Sequence, residues 1–338
     1  MKISVENNFI TDDSNECEQG AYFVQTTANA KFAEDAVKKG AKIITLEECK
    51  KLLKIDENLK IVGITGTNGK TTTAAAIYET LRNLGKKCGL SGTRGAFIEG
   101  EQIDNKALTT SAILKTLSYL KVASEHGCEY FVMEVSSHAI AQKRIESLKF
   151  ALKIFTNLTQ DHLDYHKTFE NYRNAKKMFF DGLPKNAFAL TNADDKNGMF
   201  MVQNTKASVK TYSIKRMADF RAKILECHFE GMYLEIDGKE VGVQFIGKFN
   251  VSNLLAVYGT AVLLGRQPEE ILVAMSTLKS VNGRLEPIQS PEGFTAVLCY
   301  CGLCTYAGRT GECPFGHPRR TRQQGWTRHN CLRCRRTP

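Results

Sequence analysis

The sequence has none of the features that would place the chain in or across a membrane. No apolar run in its 338 residues is long enough to span a bilayer, which excludes a transmembrane helix. The opening residues, Met1 to Asp13, lack the apolar stretch of a secretory leader, so a cytoplasmic protein is expected. Internal repeats and low-complexity linkers are also missing, which excludes solenoid arrays and flexible tethers. Acidic residues are scarce in one place only. Residues 299–338 hold eight Arg against one Glu, with no Lys and no Asp, a balance of +7. The whole chain carries +10, so the preceding 298 residues carry only +3. The same tail holds six of the eleven cysteines and the single tryptophan. Basic charge confined to such a tail says little about the rest, and neither nucleic acid nor membrane is expected as a partner. The 42% hydrophobic content supports a sizeable core in a chain long enough for two or three domains.

What is present is an alternation of strands and helices. Ala21–Val24 and Ala41–Leu46 read as strands and Lys31–Lys39 as a helix. Lys60–Thr65 is a buried strand that runs into a Gly-rich turn, followed by a helix over Thr71–Gly85. Strands at Tyr130–Val135 and Lys153–Thr156 alternate with helices at Ser111–His126 and Glu170–Phe180. That order predicts an α/β fold with a mostly parallel central sheet covered on both faces. Ala222–Cys227, Met232–Ile236 and Val241–Ile246 read as antiparallel strands, and Val251–Leu264 and Pro268–Leu278 as helices.

The turn after the first buried strand carries chemistry. Gly63-Ile64-Thr65-Gly66-Thr67-Asn68-Gly69-Lys70-Thr71-Thr72 fits the P-loop pattern G-x-x-x-x-G-K-[ST]. Its glycines let backbone N–H groups curl around phosphate oxygens, and the following helix adds the positive end of its dipole. Lys70 is expected on the β- and γ-phosphates of ATP and the Thr71 hydroxyl on Mg²⁺. Gly66, Thr67, Asn68, Gly69 and Thr72 complete the cradle.

Glu134 ends an apolar strand, the edge where open α/β sheets bind ligands, although a solvated strand-end carboxylate reads equally well. The run Asn157-Leu158-Thr159-Gln160-Asp161-His162-Leu163-Asp164-Tyr165-His166 follows the next strand and is dense in oxygen and imidazole groups. Mg²⁺ takes few protein ligands, so Glu134 and one histidine would suffice beside ATP phosphates. Lys176, on the helix that follows, reads by itself as one more surface lysine.

Those motifs resemble the superfamily of Mur ligases and folylpolyglutamate synthetases, through Thr65-Gly66-Thr67-Asn68-Gly69-Lys70-Thr71-Thr72, and the Mur ligases in particular, through Asp161-His162-Leu163-Asp164-Tyr165-His166. In that family a lysine on the next helix is carbamylated and binds Mg²⁺. The resemblance therefore implies catalytic roles for Lys70, His162 and Lys176, and a metal set of Thr71, Glu134, His162 and the Lys176 carbamate. Ser136-Ser137-His138-Ala139-Ile140-Ala141-Gln142-Lys143-Arg144 matches the run S-S-H-x-x-x-Q-x-R of the Mur ligases that act on UDP-MurNAc-L-Ala-D-Glu. It implies substrate contacts at Ser136, Gln142 and Arg144, and the pair Thr109-Thr110 implies two more. Asp13-Ser14 resembles a uridine-binding D-S-R, with Asn15 in place of Arg, so only Ser14 carries over. Gly247-Lys248-Phe249-Asn250-Val251-Ser252-Asn253 and Gly283-Arg284-Leu285-Glu286 resemble family motifs near the nucleotide, implying Asn250 and Arg284 in ATP binding. Asn250 also reads as a helix N-cap.

The implied organisation is a UDP-binding domain at 1–58, an ATP-binding domain at 59–290 and a remnant of a third, Rossmann-like domain at 291–338, the remainder of that domain missing. The implied reaction is ATP-dependent amide formation by a monomer. A diamino acid, meso-diaminopimelate ahead of L-lysine, is joined to UDP-MurNAc-L-Ala-D-Glu through an acyl phosphate. A folylpolyglutamate synthetase-like ligase is the nearest rival.

The tail admits two readings. Cys301-x-x-Cys304 and Cys331-x-x-Cys334 have the spacing of paired zinc knuckles, which would make a nucleic-acid binder. Alternatively, codons for Gly302–Cys313 can be chosen so that a one-base shift reads Asp-Tyr-Ala-His-Thr-Pro-Asp-Ala-Leu-Glu-Asn-Val, which resembles a Mur ligase motif. His329–Arg336 shifts likewise to Thr-Ile-Val-Phe-Gly-Ala-Gly-Gly. A shifted frame from about residue 299 is the expectation, and with it impaired ligation.

Overall fold

The computed structural model describes residues 1–105, 108–228 and 231–279. It also describes the backbone of three strands, Arg284–Gln289, Phe294–Cys299 and Tyr306–Arg309, which pair as an antiparallel sheet. Apart from the backbone of Cys299 and Tyr306–Arg309, the stretch read as a shifted frame lies outside the described residues, as do the zinc knuckles and the Arg284 side chain.

A small four-stranded sheet comes first, in the order β1 (Lys2–Val5), β2 (Asn8–Thr11), β3 (Tyr22–Val24) and β4 (Lys42–Ile44). Its first pair is antiparallel and the others parallel. Helices α1 (Ala33–Lys38) and α2 (Leu46–Leu52) accompany it. The strand expected to run to Leu46 stops at Ile44 because a capping box turns the chain. The Thr45 hydroxyl accepts from the Glu48 N–H at 3.2 Å, and the Glu48 carboxylate accepts from the Thr45 N–H at 2.8 Å.

The larger unit is built on an eleven-stranded sheet. Its elements in chain order are β5 (Lys60–Thr65), α3 (Lys70–Asn83), β6 (Cys88–Gly92), β7 (Gly95–Ile98), β8 (Glu101–Asp104), α4 (Ile113–Glu125), β9 (Tyr130–Glu134) and α5 (Ser137–Ala141). There follow β10 (Phe150–Phe155), α6 (Leu163–His166), α7 (Phe169–Asp181), β11 (Phe188–Asn192), α8 (Gly198–Val202) and β12 (Ser208–Ser213). Last come β13 (Phe220–Cys227), β14 (Met232–Ile236), β15 (Lys239–Val243), α9 (Lys248–Leu263) and α10 (Pro268–Ser276). The strand order is β15-β14-β13-β12-β11-β10-β5-β9-β6-β7-β8, parallel from β13 through β6 and antiparallel at both edges. The expected antiparallel strands are thus appended at one edge.

One apolar cluster packs α3, α9 and α10 on one face of the sheet, with Ile77, Leu81, Leu255 and Ile271 among its members. A second packs α4 and α7 on the other face and includes Leu117, Phe131, Phe155 and Phe179. After β9 the chain crosses to the far side of β5 to form β10. The carboxyl ends of β9, β5 and β10 therefore flank a topological switch point, the place where such sheets open a ligand crevice.

Candidate active site

The loop leaving β5 is held open by glycine at two positions. Gly66 has φ +154° and Gly69 φ +85°. A Cβ on Gly66 would lie 1.9 Å from Thr156 Oγ1, and one on Gly69 2.4 Å from Asn253 Oδ1. No side chain caps α3, which starts at Lys70, so its first-turn N–H groups suit an anion. The loop after β10 clamps the P-loop. Thr67 N–H donates to Asn157 O at 2.8 Å, Asn68 N–H to Asn157 Oδ1 at 2.9 Å, and Thr156 Oγ1 to Asn68 O at 2.7 Å. Sequence reasoning singled out neither Thr156 nor Asn157 for this task, because nothing local shows which loop the P-loop will touch.

Two lysines converge on one carbonyl. Lys70 Nζ donates to Gly66 O and Thr67 O, each at 2.8 Å, and Lys176 Nζ donates to the same Gly66 O at 2.9 Å. Lys176 is 1% exposed, so the surface-lysine reading is overturned. Helix α7 opens on Thr168, whose hydroxyl accepts from the Asn171 N–H, and turns Tyr172, Ala175, Lys176 and Phe179 inward together. Burial, then the Lys70 charge, pushes the Lys176 amine well below the ordinary lysine range, against a smaller opposing pull from Asp161.

Glu134 is 2% exposed, which excludes the solvated strand-end alternative. Its carboxylate accepts from Thr71 Oγ1 at 2.9 Å, from Thr93 N–H at 2.8 Å and from Thr93 Oγ1 at 3.3 Å. Gly92 makes room for it, since a Cβ there would lie 2.2 Å from Glu134 Oε1. Burial raises the Glu134 pKa above the usual carboxylate range, partly offset by the Thr93 N–H and the Lys70 charge. The folded protein therefore holds a proton that the unfolded chain releases, and stability falls as pH rises through that window. Glu134→Gln is expected to stabilise the ligand-free protein at pH 8 by about 1.4 kcal/mol for each unit of that elevation, with no gain below pH 4.5. Urea denaturation at both pH values checks it; equal effects at the two would refute the assignment.

The imidazoles form a second cluster. The ring of His162, in a left-handed conformation at φ +51°, meets His138 edge-on at 4.9 Å and lies 6.1 Å from Tyr172. Lys176 Nζ sits 4.8 Å from that Tyr172 ring, so His162 and Lys176 border a common side chain. His166 is buried and its Nε2 bonds Ser137 Oγ at 2.9 Å. No group of three or more His, Cys, Asp and Glu among the described residues could hold a metal. A hard cation with few protein ligands still fits the donors present, a buried carboxylate bonded to the Thr71 hydroxyl.

The expected substrate contacts gather at the end of β9. Thr110 Oγ1 donates to Glu134 O at 3.0 Å and accepts from Ser136 N–H at 2.9 Å, while Arg144 donates to Thr110 O at 3.0 Å. Thr109 meets Thr93 at 3.3 Å, and Gln142 donates to the Tyr165 hydroxyl at 3.3 Å. Gln142 and Arg144 line a cavity of about 410 Å³ shared with Asp12, Thr26 and Asn29 of the small sheet's loops. Ser14 is not among its lining residues. It is buried within the N-terminal unit, where Lys39 donates to its carbonyl at 3.0 Å. A separate groove of about 110 Å³ beside Lys50 and Leu148 lies away from these groups.

Asn250 does not cap α9. Gly247 is the N-cap, with φ +87°, and Asn250 stands three residues into the helix, donating to Ile246 O at 2.9 Å. The Asn250 Oδ1 accepts from Asn253 at 3.0 Å, and it is Asn253 that abuts Gly69. The spacing of the two asparagines, three apart on a helix, was the available signal for that second residue.

A crevice at a sheet switch point, a glycine cradle and an uncapped helix with a lysine at its first position define a P-loop nucleotide-binding α/β protein. Residues 64–261 match the family model for the Mur ligase middle domain, and the chain belongs to the Mur ligase family. It is 52% identical over 285 residues to a UDP-N-acetylmuramoyl-L-alanyl-D-glutamate–2,6-diaminopimelate ligase of Bacteroides fragilis, covering 84% of this chain and 56% of that one. A protein of the same description from Phocaeicola vulgatus is 48% identical over 326 residues, with 88% and 67% covered. The chain thus spans between about half and two thirds of such relatives. A solved structure of a ligase with that description superposes with a TM-score of 0.73 at 26% identity, over 84% of this chain and 65% of that one. The fold is shared by a MurF ligase from Thermotoga maritima solved with ADP, at a TM-score of 0.55 and 20% identity over 83% and 68% of the two chains.

Proposed function

We propose that this chain carries the nucleotide and UDP-substrate sites of an ATP-dependent ligase that adds meso-diaminopimelate to UDP-MurNAc-L-Ala-D-Glu. The observation that carries the reading is the pair of lysines on Gly66 O, beside the buried Glu134 and Thr71. ATP supplies the phosphoryl group that activates the substrate carboxylate, and Mg²⁺ bound near Glu134, Thr71, His162 and Lys176 would neutralise phosphate charge. The chain's own residues do the rest. Lys70 and the first turn of α3 hold phosphate oxygens, Asn250 and Asn253 border the nucleotide, and Ser136, Gln142, Arg144, Thr109 and Thr110 orient the sugar-peptide.

Lys176 contributes chemistry that an ordinary lysine cannot. A carbamate forms when a neutral amine attacks CO₂ and gives up a proton, and the depressed pKa favours that neutral amine. The product is an anion. It gives the Lys70 ammonium an anionic neighbour and adds a second acidic ligand to Glu134 at the cation site.

The organisation at 1–58, 59–290 and 291–338 belongs to the same reading. The match to diaminopimelate ligases supports meso-diaminopimelate over L-lysine as the amino acid.

Thermal denaturation with Mg·ATP, with UDP-MurNAc-L-Ala-D-Glu and with folate tests this. Ligand at about a hundred times its Kd stabilises by about 2.7 kcal/mol, a rise of several degrees. The first two ligands are expected to give that rise and folate none. A protein indifferent to millimolar Mg·ATP, or shifted by folate in place of the sugar-peptide, would overturn the proposal. Metal analysis of purified protein decides the zinc alternative.

A further inference from the structure

A third lysine is buried in the same region, and the reaction does not account for it. Lys153 lies at the centre of β10, 8% exposed, paired in parallel register with Gly63 on one side and Ala189 on the other. Its Nζ donates to Phe179 O at 2.5 Å and sits 4.9 Å from the Phe150 ring and 4.5 Å from the Phe179 ring. Those rings meet edge to face at 5.1 Å. Gly63, the first glycine of the P-loop pattern, makes the space: a Cβ there would fall 2.6 Å from Phe150 and 2.7 Å from Phe179. Burying an ammonium in an aromatic pocket is costly unless it is paired, and burial, against a smaller opposing pull from Asp181, lowers this one to about 8.

The compensation lies in its acceptor. Phe179 O belongs to the last turn of α7, where carbonyls lose their intrahelical partners. In a continued helix the Leu183 N–H would reach it, but that N–H donates instead to Phe180 O at 3.2 Å. Lys153 therefore satisfies an orphan carbonyl at the negative end of the helix, reinforced by the Asp181 carboxylate nearby. Phe179 is three residues beyond Lys176, so both lie on one face of α7. One lysine ties the sheet to the helix and the other ties the helix to Gly66 O, three residues on from Gly63.

We propose that Lys153 is a positioning residue: it fastens the C-terminal turn of α7 to β10 and so fixes how Lys176 is presented to the P-loop. The inference deepens the reading of Lys176 given above and rests on it. Lys177 provides the control. It lies on the same helix and pairs with Asp181 at 2.5 Å within α7, without tying the helix to the sheet.

The test is carbamate occupancy at Lys176, followed by ¹³C NMR in ¹³C-bicarbonate on the full chain, with Lys176→Ala as the blank. Lys153→Met is expected to raise the bicarbonate needed for half-occupancy about tenfold, because a small displacement of a functional group is felt strongly. Lys177→Met is expected to lower the melting temperature while leaving that concentration unchanged. Should Lys153→Met not fold, Lys153→Gln takes its place, its shorter side chain withdrawing the donor from Phe179 O. Equal carbamate occupancy in the Lys153 variant and wild type, or an equal shift in both variants, overturns the proposal. A wild-type chain with no carbamate signal sinks only the reading of Lys176. The Kd for Mg·ATP then decides: it is expected to weaken in the Lys153 variant and hold in the Lys177 variant, and an unchanged value in both refutes the positioning role.

Discussion

Replacing Lys70 by Ala is expected to weaken Mg·ATP binding about a hundredfold, since charge-assisted hydrogen bonds are worth about 1.5–3 kcal/mol each and 1.4 kcal/mol is tenfold. In the structure Lys70 donates to two carbonyls of its own loop, a geometry that keeps the ammonium over the cradle. Its charge also acts on two neighbours, favouring the ionised Glu134 and the neutral Lys176. The variant should therefore raise the pKa of both groups as well as lose phosphate affinity. Titration calorimetry with Mg·ATP measures the first effect. An affinity within threefold of wild type would remove the P-loop from the mechanism.

Replacing Lys176 by Met is expected to abolish the bicarbonate-dependent ¹³C signal and to change how stability depends on pH. The sign follows from proton counting. The folded protein holds the Lys176 amine with a depressed pKa, so between that value and about 10.4 the unfolded chain binds more protons. Stability contributed by this group therefore rises with pH across that window. Each unit of depression corresponds to about 1.4 kcal/mol at the acidic end, where a proton must be released or a charge buried. The Met variant lacks this slope. Urea denaturation between pH 6 and 9 should show wild type gaining on the variant as pH rises, and other groups, Glu134 among them, cancel in the difference between the two proteins. Parallel pH profiles would show that the fold does not depress the pKa of this amine. A variant more stable than wild type at pH 6 would mark Lys176 as a residue kept for function at a cost to the fold.

The central sheet was legible from the chain alone wherever periodicity was strong. The strand at Lys60–Thr65 appears at its expected bounds, and the helix after it starts one residue earlier than read. The short strands β6, β7 and β8 were not read. The first is buried throughout and rich in glycine, and the others carry little alternation to mark them. Helix α2 was missed although Thr45-Leu46-Glu47-Glu48 spells a capping box, because the apolar strand pattern of Ala41–Leu46 runs through its first residue.

For the site, motif spacing pointed to Lys70, Thr71 and the Ser136–Arg144 run and a strand end to Glu134, and the fold gathers them at the carboxyl ends of β5 and β9. It did not locate Thr93, whose N–H and hydroxyl hold Glu134 from 41 residues away, nor Asn157 and Asn253, which close on the P-loop from two other elements. Contacts between distant segments leave no local pattern.

By itself the amino-acid order determined the phosphate cradle, because a glycine turn between a buried strand and a helix is a local arrangement dictated by backbone sterics. Tertiary structure alone decided the character of the lysines. Lys153, Lys176 and Lys177 differ little as letters, yet the fold buries all three, two against carbonyl oxygens of other segments and the third beside Asp181 of its own helix. An amine's proton affinity depends on the water and charge around it, and only the folded chain sets those.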